Sequence, residues 1–174
     1  MKSLFILQLV CCVITAMLAL QLAMASLQVR WKVWRYEISR WILVASMLFF
    51  SVHYLLQMIH GLRAQGTDVG AAFNILFYTP VAFAITLSII NIESTGNKVR
   101  RYCLRGMMAY ILIAIVFVIG MFKSQSLHIG NMLYVMLGLF VASMAYFILI
   151  IRKETKARKQ KLMKNFVIDL IPYV

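Results

Sequence analysis

The chain is poor in acid, in proline and in polar runs. Of its 174 residues only five are Asp or Glu, two are Pro and three are Cys, and 13% are charged against 63% hydrophobic. There are no paired carboxylates, no phosphate loop, no HExxH and no nucleophile elbow, so no enzymatic activity is expected. All five acidic residues fall in loops or the tail. That pattern predicts no buried carboxylate of the kind many proton-coupled transporters use, and no inverted repeat marks a secondary transporter. Cys11, Cys12 and Cys103 supply neither a disulfide framework nor a ligand spacing, and read as small apolar fillers.

What the chain has in excess is uninterrupted apolar sequence. Its mean hydropathy of +0.87 lies outside the range of ordinary soluble domains. Five runs approach or exceed the roughly 20 helical residues that cross a hydrocarbon core, near 4–25, 41–60, 71–92, 106–122 and 131–151. No alternating ten-residue pattern appears, and open sheet edges cannot be satisfied in lipid. The expected fold is all-α: a polytopic membrane protein of about five transmembrane helices over residues 1–151, followed by a basic amphipathic cytoplasmic tail over 152–174.

The net charge of +13 is large enough to raise the question of nucleic acid. Its distribution points to topology instead. Four Lys and Arg lie in residues 26–40, four in 93–105 and seven in the tail, against one each in the N-terminal start, residues 61–70 and residues 123–130. The positive-inside rule then places the N-terminus outside and the tail in the cytoplasm. No direct nucleic-acid partner is expected, since nothing resembles a recognition helix or an RNA-binding sheet.

This topology requires the first run to stay in place. Ala23, Met24 and Ala25 form an A-x-A pattern behind a start that bears Lys2, as a signal-peptidase site would. The apolar run is longer than a signal-peptide core of about 7 to 15 residues, so an uncleaved anchor is the expectation. Trp31, Trp34, Tyr36 and Trp41 beside the first cytoplasmic loop read as an interfacial belt. In the tail, Arg152, Lys153, Lys156, Arg158, Lys159, Lys161 and Lys164 make a dense basic stretch. Leu162, Phe166 and Leu170 follow at a spacing of four, giving a basic helix with an apolar stripe that lies on the inner leaflet or couples the membrane to a cytoplasmic partner. A solvated flank that merely stops transfer is the plain alternative.

Polar residues inside the membrane carry the functional question. In "SVHYLLQMIHG", His53, Gln57 and His60 fall at i, i+4 and i+7, on one helical face. The charge count puts His60 at the outer mouth and His53 about 10 Å deeper. Asn74, Tyr78 and Thr79 stand at comparable depth on the third helix, where Pro80 removes a backbone donor and is expected to kink it. Asp68, His128, Asn131 and Tyr134 also fall on the outer side. The candidate ligand-binding cleft is His53, Gln57, His60, Asn74 and Tyr78. His60, Asp68 and His128 are a weaker set for a divalent metal. Haem ligation and simple helix-to-helix hydrogen bonding are the remaining readings of the same stripe. Small residues at Ala16, Ala19 and Ala23, and the pair Gly138 and Ala142, favour close helix packing. No cofactor is expected.

The segment "HYLLQMIHGLRAQGTDVGAAFNILFYTPVAFAITLSIINIE" resembles the N-terminal membrane region of bacterial signal-transduction regulators. In that group a multi-helix module precedes a histidine kinase or an AraC-type helix-turn-helix domain. The likeness lies in "HYLLQ", the "GLR" turn, "NILFYTP" opening the third helix, and the polar exit toward "NIESTG". It implies an input module that relays an extracytoplasmic or intramembrane signal to a cytoplasmic partner. No kinase or DNA-binding sequence follows in the chain, which departs from the pattern. The alternative is a small structural subunit or scaffold. Partners expected on either reading are an anionic inner leaflet, a signalling protein in the cytoplasm or membrane, and a second copy of the chain.

Overall fold

A computed structural model of the chain describes residues 2–25, 34–63, 65–93 and 98–170. They form five α-helices: α1 Lys2–Met24, α2 Trp34–His60, α3 Thr67–Glu93, α4 Lys98–Ser124 and α5 Met132–Leu170. No strand occurs among the described residues. All five helices are long and apolar enough to cross a membrane, and the chain is a multi-pass membrane protein. Helices satisfy that environment because every backbone donor and acceptor is paired within its own segment.

Glycines in the left-handed region mark the α2–α3 and α4–α5 connections. Gly61 takes a left-handed φ of 55° directly after α2, as a glycine beyond a helix C-terminus does. Gly130, with φ 53°, precedes α5 in the same region of conformational space. α3 continues through Pro80 without a break. The missing proline N–H leaves the Leu76 carbonyl without its helical donor.

The helices form a chain of neighbours with α3 at the centre: α3 packs on α2, α4 and α5, while α1 packs on α2 alone. The core contains Ala72 and Ile75 of α3, Ile113 of α4, Ile129 and Met136. Of the α1 alanines, Ala19 is buried and Ala16 and Ala23 are half-buried. On α4, Gly106 lets the helix approach α3 so closely that a Cβ there would overlap the ring of Phe83. The Gly138 and Ala142 pair behaves otherwise: both are exposed, and nothing stands within 4 Å of where a Gly138 Cβ would be. The close packing expected of that pair is not used among the described residues.

Hydrogen bonds define the two ends of the bundle. Gln8, Gln57 and Asn74 meet at one, so the N-terminus of α1, the C-terminus of α2 and the N-terminus of α3 share it. The other end, here called the tail end, gathers the start of α4 and the extension of α5. α5 is 39 residues long, about 58 Å, and continues about 28 Å past Ile151, through the basic stretch. Of the interfacial aromatics, Trp34 and Trp41 are exposed, with the Arg40 guanidinium 5.5 Å from the Trp41 ring, and Tyr36 is half-buried. Trp31 lies outside the described residues.

One expectation is overturned at the tail end. Glu154 is 4% exposed. Its carboxylate accepts a hydrogen bond from the Tyr102 hydroxyl at 2.9 Å and pairs with Lys98 Nζ at 3.6 Å. Hydropathy treated this position as solvated tail. α4, however, begins at Lys98, well before its apolar run, and so runs beside α5 past the apolar boundary and covers position 154.

Candidate functional site

Ser39, Ser46, His53 and Gln57 of α2 are buried, and the first three recur every seven residues. That spacing keeps them on one side of the helix, facing α3 and, toward the C-terminus, α1. The sequence places a hydroxyl or amide at matching positions on the neighbours. Two polar clusters result, one near each end.

At the N-terminal end the cluster is built on Gln57. Its Nε2 donates to Asn74 Oδ1 at 2.8 Å, and its Oε1 accepts from Gln8 Nε2 at 3.1 Å. His53 Nε2 lies 3.1 Å from both Asn74 Oδ1 and Gln57 Nε2. With the imidazole proton on Nε2, Asn74 Oδ1 accepts from both neighbours, and Nδ1 carries a bare lone pair. With the proton on Nδ1, Nε2 instead accepts from Gln57. In either form Nδ1, buried with the rest of a side chain that is 0% exposed, has no hydrogen-bond partner among the described residues.

Aromatic rings wall in this imidazole. Phe77 stacks on it at 4.4 Å between centroids, Tyr78 stands edge-on at 5.7 Å, and Tyr54 and Phe50 complete the surround at 5.5 and 6.5 Å. Such a site orients a polar group by hydrogen bonding and excludes water around it, the usual composition of a small-ligand pocket. Among the described residues it holds no carboxylate, so acid–base chemistry would fall to His53 and the phenols of Tyr54 and Tyr78.

The cluster toward the tail end is of another kind. Ser39 Oγ donates to the Ser88 carbonyl at 3.0 Å, and Ser88 Oγ reaches back to the Ser39 carbonyl at 3.2 Å. Asn91 Nδ2 donates to Ser39 Oγ at 3.0 Å and to the Arg35 carbonyl at 2.9 Å. Both hydroxyls and the amide nitrogen are engaged between α2 and α3. This is a clasp between helices.

A third group ties the α4–α5 loop to the first turn of α3. His128 Nδ1 and Asp68 Oδ2 are 2.8 Å apart and both side chains are partly exposed. Gly66, with φ 156°, passes beneath them, where a Cβ would come within 2.6 Å of Asp68 Oδ1. His128 and Asn131 also border a hollow of about 290 Å³ with Lys123 and Ser124.

The residues expected to line one outer cleft therefore divide. His53, Gln57, Asn74 and Tyr78 come together in the buried cluster. Asp68 and His128 pair at the surface. His60 joins neither: it is exposed, and its carbonyl accepts from Gln65 Nε2 at 3.3 Å. Among the described residues no three His, Cys, Asp or Glu side chains are grouped to hold a metal, so the set His60, Asp68 and His128 does not assemble. Tyr134 is 73% exposed and stands apart from the cluster.

Gln8 was missed by sequence reasoning. It is an amide in an otherwise apolar stretch of α1. Comparison of the chain with protein-family models, with curated proteins and with solved structures found no match.

Proposed function

We propose that the chain is a sensory and regulatory module of the bacterial inner membrane, with its N-terminus outside and its tail in the cytoplasm. The observation that carries this reading is the unpaired Nδ1 of His53, buried in a cluster contributed by three helices. A buried polar atom with no partner is costly, and in a native protein it marks a strained or functional position. A small polar molecule or ion that engages Nδ1 would compete for the same side chains that hold α1, α2 and α3 in register. Its binding would thus be felt as a helix displacement.

The tail supplies the output. α5 is continuous from the apolar run into Arg152, Lys153, Lys156, Arg158, Lys159, Lys161 and Lys164. The Glu154 clamp to Tyr102 and Lys98 couples the base of that rod to α4. The resemblance of residues 53–93 to bacterial input regions points in the same direction, with a cytoplasmic or membrane-bound signalling protein as the receiver.

Ligand-dependent stability tests this reading. Purified protein is unfolded thermally in the presence of divalent metals and small metabolites, beside His53→Ala and Gln57→Ala. At least one compound is expected to raise the midpoint of the wild type and of neither variant. Equal stability differences with and without every compound would leave the cluster as helix glue. The second reading, a scaffold subunit without a ligand, is favoured by the amides of Gln8 and Gln57, which are paired inside the chain. Reporter fusions to the tail check the topology, and a tail reporting from outside overturns it.

A further inference from the structure

The base of the α4 and α5 pair carries positive charge, and the sensory reading leaves two of its residues, Arg101 and Arg105, without a role. Lys98, Arg101 and Arg105 follow one another at i, i+3 and i+7 on α4 and are all exposed. Arg105 Nη1 donates to the Tyr146 hydroxyl of α5 at 3.3 Å. Lys153, seven residues beyond Tyr146 and on the same side of α5, is exposed as well.

This stripe faces away from the rest of the protein. Gly106 meets Phe83 of α3, and Phe147 lies 5.7 Å from the same ring. Each is the next residue along its helix, so Arg105 and Tyr146 are turned about 100° from α3. No other described helix packs on that side of the groove between α4 and α5. Toward the bilayer interior the same flank carries the exposed apolar side chains of Met108 and Leu112 on α4, and the small exposed residues Gly138 and Ala142 on α5.

Depth selects the occupant. Arg105 immediately precedes the apolar run of α4, and Arg152 immediately follows that of α5, so the stripe sits at the level where phosphates of the bilayer stand. Guanidinium forks match phosphate oxygens, and a tyrosine hydroxyl adds a donor. Glu154, the nearby carboxylate, would repel an anion if it were bare. It is buried instead and held by Tyr102 and Lys98.

We infer that the α4–α5 groove binds an anionic phospholipid, its phosphate held by Arg101, Arg105 and Tyr146 and its acyl chain lying along Gly138 and Ala142. The site is separate from the His53 cluster, and its failure would leave the sensory reading untouched.

The full chain in neutral detergent is titrated with phosphatidylglycerol and, separately, with phosphatidylcholine, and bound lipid is counted by native mass spectrometry. Phosphatidylglycerol is expected to bind and to raise the thermal midpoint, and phosphatidylcholine to do neither. Arg101→Gln with Arg105→Gln is expected to weaken phosphatidylglycerol binding roughly thirtyfold, from about 1 kcal/mol for each basic residue near the headgroups. Lys156→Gln with Lys159→Gln removes the same charge from the tail and is expected to leave binding within about twofold, because those residues lie beyond the groove. If the double α4 variant does not fold, Arg101→Gln alone is expected to weaken binding about fivefold. Equal losses in the α4 and tail variants would reduce the effect to net charge and overturn the proposal. So would the same stabilisation by inorganic phosphate, which would make the site one for a free anion.

Discussion

The two polar clusters on the α2–α3 seam use similar groups to different ends. Near the tail, Ser39, Ser88 and Asn91 cross-bond backbone and side chain with no donor left over. Near the N-terminus, Gln8, Gln57, Asn74 and His53 gather more polar atoms than they can pair, and Nδ1 of His53 is the remainder. Hydroxyls close to the backbone satisfy themselves on neighbouring carbonyls, whereas an imidazole presents two nitrogens on opposite edges of its ring. A site for an outside molecule needs such a remainder, and a clasp does not.

Mutations separate the two. The largest effect is expected from Gln57→Ala, which leaves the Gln8 amide and the Asn74 carbonyl without their central partner. It should lower stability by about 2–3 kcal/mol, measured by thermal or denaturant unfolding in detergent. Ser39→Ala should cost about 1 kcal/mol, because it breaks one arm of the clasp and removes one of the two acceptors of Asn91 Nδ2. A double variant with Ser88→Ala should cost less than the sum of the two single changes, as expected for residues in one network. The smallest effect is expected from His53→Phe, under about 1 kcal/mol. It keeps the stack on Phe77 and removes the unpaired nitrogen together with the bond to Asn74. If His53→Phe proves as destabilising as Gln57→Ala, the cluster is a clasp like the other, and the distinction between them collapses.

Much of this architecture was legible in the residues. Five apolar runs became five helices, since in lipid a long apolar segment has no other way to pair its backbone. The i, i+4 spacing of His53 and Gln57 put both on the face that meets Asn74. The same spacing argument admitted His60, which stands beyond the packed part of α2 and is exposed. Gln8 and Glu154 were harder to see. An amide in the first helix finds its partner only when that helix packs on α2, and a carboxylate in a basic tail is buried only because α4 extends far enough to cover it.

Sequence alone determined that this is an all-α membrane protein, roughly where each helix lies and which positions on α2 are polar, because hydropathy and helical periodicity are local properties of the chain. Which polar groups satisfy one another, and which nitrogen is left without a partner, was decided by the tertiary structure. Hydrogen bonds between helices depend on depth, rotation and distance together, and only packing sets all three.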